Sequence, residues 1–213
     1  MTRLRVINLG LPKSGTTTLG RSLREAGLRV ADWKVRPDQS DDPEVGGRFL
    51  GDLMYRGYFE TGDPLQYLDG FDALSELNVA NVALNRWPQT DWGLLSALME
   101  RHPGARFLLS SREAGRHVDS ILRWNNLGRE RLPRLDIPGL PRGFGTSAEE
   151  LARWIEGHRS FCRKVFAGSD RFLEYDVEDP GVIGQLSDFL GIELTWWGTE
   201  NRNPQDKATG AVR

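Results

Sequence analysis

Hydrophobic positions alternate between two spacings along this chain, and the switches between them mark its elements. Residues 4–9 (LRVINL) form a short β-branched, apolar run that reads as a buried strand. Past a Gly/Ser/Thr-rich loop, Leu19, Leu23 and Ala26 fall on one helical face with Arg21, Arg24 and Glu25 outside, and Gly27 closes that helix. Residues 28–33 (LRVADW) read as the next strand. A strand–loop–helix–strand opening is the start of a parallel α/β sheet. Residues 71–77 (FDALSEL), 106–110 (RFLLS) and 171–175 (RFLEY) supply three further strands. Helices are expected near 49–58, after Asp91 as N-cap, over about 114–127, after the capping box of Ser147 and Glu150, and after Pro180. The Ser147 helix carries a clear stripe through Leu151, Trp154, Ile155, His158, Phe161, Cys162, Val165 and Phe166. Segments 36–66 and 128–145 break the periodicity with Pro, Gly and charge, and are read as largely irregular loops. Long loops in compact domains are usually functional or disordered. The tail, 198–213, is polar. No repeat or second domain emerges, so 1–213 is read as one domain.

Composition narrows this picture without redirecting it. At 213 residues, 38% hydrophobic and 27% charged, the chain has enough sequence for one core of ordinary globular type. A net charge of −2 gives no wholesale attraction to nucleic acid or membrane. The single cysteine, Cys162, rules out an intrachain disulfide and a cysteine-based zinc cluster. The first residues run straight into a strand without a signal-peptide h-region, and no apolar run approaches the roughly 20 residues that span a bilayer. A cytoplasmic protein is expected, binding neither nucleic acid nor membrane.

The chemistry concentrates in LGLPKSGTTTLG, residues 9–20. Between a buried strand and a helix start, the backbone N–H groups of Ser14, Gly15, Thr16 and Thr17 would point at a bound anion, aided by the helix dipole. The hydroxyls of Ser14, Thr16, Thr17 and Thr18 add donors. The glycine spacing is that of an ATP- or GTP-binding loop, but the lysine is misplaced for one. In G-x-x-x-x-G-K-[ST] it follows the second glycine. Here Thr16 and Thr17 follow Gly15, and Lys13 precedes it by two positions.

PKSGTT followed by Leu19 in this setting resembles the 5′-phosphosulfate loop of the sulfotransferases, which use 3′-phosphoadenosine 5′-phosphosulfate (PAPS). The family's second motif is a strand-end arginine with a serine eight positions later in a helix. RFLLSSREAGRHVDS supplies Arg112 and Ser120 at that spacing, with Arg116 one turn before the serine. A third segment, FLEYDVEDP with a downstream DFLG, resembles the family's Tyr-Glu-Asp region. The resemblance runs in order from about residue 5 to 192 and is nearest to short bacterial members. It implies a P-loop NTPase-like three-layer α/β/α sandwich around a central, mostly parallel sheet of about five strands. It also implies PAPS as donor, adenosine 3′,5′-bisphosphate as product, no required metal, and a small-molecule or carbohydrate acceptor bearing a hydroxyl or amine.

On this resemblance Lys13 sits beside the oxygen bridging phosphate and sulfate and stabilises the leaving group, or else binds phosphate alone. Arg112 and Ser120 take the 3′-phosphate. Tyr175 either contacts adenine or is a core tyrosine. The tail's Arg202 and Lys207 fall near the family's C-terminal 3′-phosphate contacts. Where the family's cytosolic members place a catalytic histidine at a strand tip, this chain has Glu76. A partly desolvated carboxylate there can act as general base, the alternative being a structural ion pair. His117, Asp72 and Glu60 are the fallbacks. The family's partner lysine on this strand is missing, with Leu74 near its place. Arg129, Arg131, Arg134 and Arg142 either meet the acceptor or are solvated. Two rival functions remain open: a P-loop small-molecule kinase using ATP and Mg²⁺, and a non-catalytic nucleotide-binding protein.

Overall fold

The computed structural model describes residues 3–198. Its strands, in chain order, are β1 (Arg5–Asn8), β2 (Val30–Ala31), β3 (Ala73–Leu74), β4 (Val79–Ala80), β5 (Asn85–Arg86), β6 (Ala105–Ser111) and β7 (Phe172–Asp176). The helices are α1 (Thr16–Glu25), α2 (Leu50–Thr61), α3 (Trp92–Arg101), α4 (Ala114–Arg123), the single turn α5 (Leu132–Arg134), α6 (Ala148–Val165) and α7 (Val182–Leu190). Five strands form one all-parallel sheet in the order β2-β3-β1-β6-β7. The central strand β1 pairs with β3 on one side and β6 on the other, with Val6 opposite Ala73 and Arg106.

Period-2 alternation divides the core between two faces. Val6, Ala73 and Leu108 point to the side covered by α1 and α7, where Leu19, Leu23, Val182 and Leu186 complete a cluster. Ile7, Phe107 and Leu109 point to the other side, against Leu53 and Met54 of α2, Leu94 and Leu98 of α3, and Cys162 and Phe166. Strands buried on both faces read as continuous apolar runs, which is why the sheet was visible in the sequence. The result is the expected three-layer α/β/α sandwich.

Several boundaries differ from expectation. The helix expected over 114–127 stops at Arg123, and a π-helical turn (Leu127–Arg131) follows, with Asn125 at φ 45° in the connection. The helix expected near 49–58 is present as α2 and extends to Thr61. Segment 128–145 is more regular than its composition suggests, holding most of the π-turn, α5 and an isolated bridge between Ile137 and Leu140. Leu132, Leu135, Ile137 and Leu140 are buried with Trp87, Trp154 and Ile155 in a third cluster, so tertiary packing orders a stretch that lacks local periodicity. The short antiparallel hairpin of β4 and β5 was not anticipated.

One buried side chain ties the strand ends together. The Asn8 amide donates to the Ser75 carbonyl at 2.8 Å, and its oxygen accepts from the backbone of Gly10 and Ser110, each at 3.3 Å. It thereby joins the C-terminal ends of β1, β3 and β6, the edge where open parallel sheets bind ligands.

Candidate functional site

At that edge lies a cleft of about 1130 Å³. Single-ligand pockets run roughly 300–1,000 Å³, so the space is ample for a large ligand. One wall is the loop from Pro12 to Thr18, another is α4 with Arg112 at its approach, and Glu76 and Asp32 line the side toward β3 and β2.

The loop is built for close backbone approach. Gly15 is the N-cap of α1 with φ 94°, and no side chain caps the helix. By contrast Asp91 caps α3, Glu113 caps α4 and Ser147 caps α6. The first N–H groups of a helix lack intrahelical acceptors, and those of α1 face the cleft beside Lys13, Thr16, Thr17 and Thr18. A β-carbon on Gly15 would lie 2.7 Å from Val177 Cγ1. Gly15→Ala combines that overlap with a left-handed backbone and should destabilise the fold by roughly 1–3 kcal/mol. At roughly 2–4 °C per kcal/mol for a domain of this size, thermal unfolding should move down by several degrees. An unchanged midpoint would show that the loop does not need glycine there.

Lys13 holds a positive φ of 69°, uncommon for a residue with a β-carbon. Its ammonium lies over the Trp124 ring, 3.4 Å from the centroid. Glu76 follows β3 and lines the cleft, its Oε2 accepting from Thr16 Oγ1 at 2.9 Å. Burial, reinforced by the Asp32 carboxylate, pushes Glu76 up to about 7, against the opposing pull of Thr16, Lys13 and Asn78. A carboxylate near 7 is half-ionised at neutral pH, which suits proton abstraction.

On the α4 side, Arg112 and Ser120 both line the cleft, with Arg116 beside them. Arg112 is partly buried and pairs with Glu178 at 3.1 Å, and the exposed Arg116 pairs with the same carboxylate at 2.7 Å. The Arg112 Nε is buried with no hydrogen-bond partner among the described residues. The site therefore gathers two arginines and a serine on the α4 side, and a lysine, threonine hydroxyls and a weakly acidic carboxylate around the start of α1.

No family model matches the sequence, and no curated protein matches it. Solved structures do. The sulfotransferase from Alicyclobacillus acidocaldarius superposes with a TM-score of 0.52 at 16% identity, over 99% of this chain and 91% of that one. This chain has a sulfotransferase fold. A sulfotransferase domain from the Synechococcus PCC 7002 olefin synthase aligns at a TM-score of 0.48 and 17% identity, over 91% of this chain and 75% of that one.

On the sulfotransferase fold, several residues singled out in the sequence lie elsewhere than expected. The Ser14 hydroxyl turns away from the cleft, donating to the Leu11 carbonyl at 2.7 Å and sharing a bond of 2.7 Å with Ser110 Oγ. Its N–H is also engaged, with Leu11 at 3.2 Å. Ser14 thus closes the turn that shapes the loop. Tyr175 is buried in the cluster beneath α1 and α7 and does not line the cleft, so it cannot reach adenine there. Its ring packs edge-on against Trp197, which does line the cleft. His117 is buried and bonds the Pro12 carbonyl through Nε2 at 2.8 Å, and burial pulls its pKa down to about 4. A neutral ring that donates to the loop is a fastening, and the fallback role as base is not available to it. His158 does the same for the Leu9 carbonyl at 2.7 Å.

The other fallback acids are remote. Asp72 precedes β3, at the opposite end of the strand from Glu76, and binds Arg3 and the Arg29 backbone. Glu60, on α2, is bound to Arg56 of the same helix and to Tyr67 beyond it. Of the four arginines in 128–145, Arg131 lines the cleft and Arg142 pairs with Asp136 at the surface. Arg202 and Lys207 lie outside the described residues. Sequence reading missed Asp32, Trp33, Asn78, Trp124 and Trp197, all of which line the cleft. None stands in a motif, although Asp32 and Trp33 end the second strand's apolar run, at the same sheet edge as Glu76.

Among the described residues no helix is long and apolar enough to cross a membrane.

Proposed function

We propose that this protein transfers a sulfuryl group from PAPS to a hydroxyl or amine of a small-molecule or carbohydrate acceptor, releasing adenosine 3′,5′-bisphosphate. The observation that carries this reading is that Arg112 and Ser120 line the same cleft as the Lys13 loop, about a hundred residues earlier in the chain. One end then suits a 5′-phosphosulfate over the N-terminus of α1, the other a 3′-phosphate. Arginine offers a planar fork that matches phosphate. The sulfotransferase fold supports the reaction class.

The chain's residues divide the work as follows. Glu76 takes the acceptor proton as the acceptor oxygen or nitrogen bonds to sulfur. The bond from sulfur to the bridging oxygen breaks, and its electron pair stays on the departing phosphate. Lys13 and the N–H groups opening α1 stabilise that charge. A sulfuryl group carries less negative charge than a phosphoryl group, so a single early lysine suffices where an NTPase places a lysine after the second glycine together with Mg²⁺.

Isothermal titration calorimetry without metal tests the donor. Adenosine 3′,5′-bisphosphate should bind at least about tenfold more tightly than ATP, a difference of about 1.4 kcal/mol. Tighter ATP binding, or a strict need for Mg²⁺, would overturn the proposal in favour of a kinase. An acceptor screen with labelled PAPS then distinguishes an enzyme from a protein that only holds the nucleotide.

A further inference from the structure

The 3′-phosphate end of the cleft already contains an anion of the protein's own. Glu178 places one carboxylate oxygen 3.1 Å from Arg112 Nη2 and the other 2.7 Å from Arg116 Nη1. Two oxygens bridging two guanidinium groups are what a phosphate would present there. The backbone that carries Glu178 is fixed. Val177 N–H donates to the Ser111 carbonyl at 2.9 Å, the Val177 carbonyl accepts from the Trp197 indole at 3.1 Å, and Glu178 N–H donates to Asp176 at 2.9 Å. The side chain is about one-third exposed and lines the cleft.

We infer that Glu178 is an internal competitor for the donor's 3′-phosphate, a stand-in that must be displaced from Arg112 and Arg116 before the nucleotide seats. This rests on the donor reading above and adds a competing group to it. A 3′-phosphate carries more charge than a carboxylate and can meet Arg112, Arg116 and Ser120 together, so it wins the exchange. A nucleotide lacking that phosphate leaves the ion pairs in place and gains nothing at this end. Glu178 thereby lowers affinity for a nucleotide that carries the 3′-phosphate and leaves affinity for one that lacks it unchanged, which sets how tightly the donor and its bisphosphate product are held.

The test is calorimetry on wild type and Glu178→Gln with two probes, adenosine 3′,5′-bisphosphate and adenosine 5′-monophosphate. Removing the competing charge should tighten the bisphosphate by about tenfold, or about 1.4 kcal/mol, and leave the monophosphate within about twofold. A far-ultraviolet spectrum and melting curve matching wild type confirm the fold. If Glu178 instead orients the arginines for the phosphate, the variant binds the bisphosphate more weakly, and the inference is overturned. Equal tightening of both probes overturns it too, since that is a general charge effect. Should wild type fail to prefer the bisphosphate over the monophosphate, the 3′-phosphate reading falls and this inference with it. A wild-type preference with no gain in the variant rejects the inference alone.

Discussion

Glu76→Gln is expected to lower kcat by roughly 10²–10⁴-fold, the usual contribution of a positioned general base, while affinity for adenosine 3′,5′-bisphosphate stays within a few-fold. The amide keeps the shape and still reaches the Thr16 hydroxyl, but it cannot accept a proton from the acceptor. The wild-type rate should rise with pH through about 7, where Glu76 loses its proton, and that limb should vanish in the variant. Stability provides a second, independent readout. Burial raises the folded-state pKa of Glu76 above the value near 4.5 that it has when unfolded. The neutral form is therefore favoured by folding. The associated stability is fully present below about 4.5 and is lost as pH rises to about 7. Glutamine removes that loss, so the variant should exceed wild type by roughly 1–3 kcal/mol at pH 8 and match it near pH 4. Denaturant unfolding at both pH values measures the difference. Turnover within twofold of wild type would remove Glu76 from the base role.

Lys13→Met should cost roughly 10²–10³-fold in kcat, about 2.7–4 kcal/mol, as expected when a charge-stabilising donor leaves the transition state. Methionine keeps the length of the side chain and removes the charge. The contact with Trp124 is worth about 0.5–1 kcal/mol at an exposed site, so folding stability should barely change. The informative quantity is the division between kcat and donor affinity. A fall in kcat with modest loss of bisphosphate binding places Lys13 in the chemistry. A large loss of binding at unchanged kcat would place it in donor holding alone. Because the ammonium rests on the Trp124 ring, donor binding that draws it away should also alter tryptophan emission, and that change should be smaller in the variant.

The part of the cleft formed by the Lys13 loop was legible in the chain because it is local. Lys13 to Thr18 form one continuous loop whose geometry follows from a strand, a helix start and Gly15 at positive φ. Arg112 and Ser120 are linked by a helical spacing that carries its own meaning. Glu76 was readable as a cleft residue, through its place at a strand tip. What the sequence left open was the direction in which individual side chains point. Ser14, Tyr175 and His117 lie in or beside the motifs, yet all three turn inward, one to shape the loop, one to fill the core under α7 and one to hold the Pro12 carbonyl.

The sequence by itself determined the sheet, the layer arrangement and the glycine-rich loop between β1 and α1, since buried parallel strands and amphipathic helices each impose a period that a linear reading detects. Tertiary structure alone decided which polar groups share the cleft. Asp32 comes from the end of β2, Trp124 from the end of α4 and Trp197 from beyond α7, and no spacing connects them. It also ordered 128–145, where four apolar side chains from an irregular stretch are buried together with Trp87 and Trp154. The shifted acidity of Glu76 and the Glu178 bridge belong to the same class. Each depends on charges and desolvation contributed by residues distant in the chain, and proximity of that kind arises only when the sheet brings its strand ends to one edge.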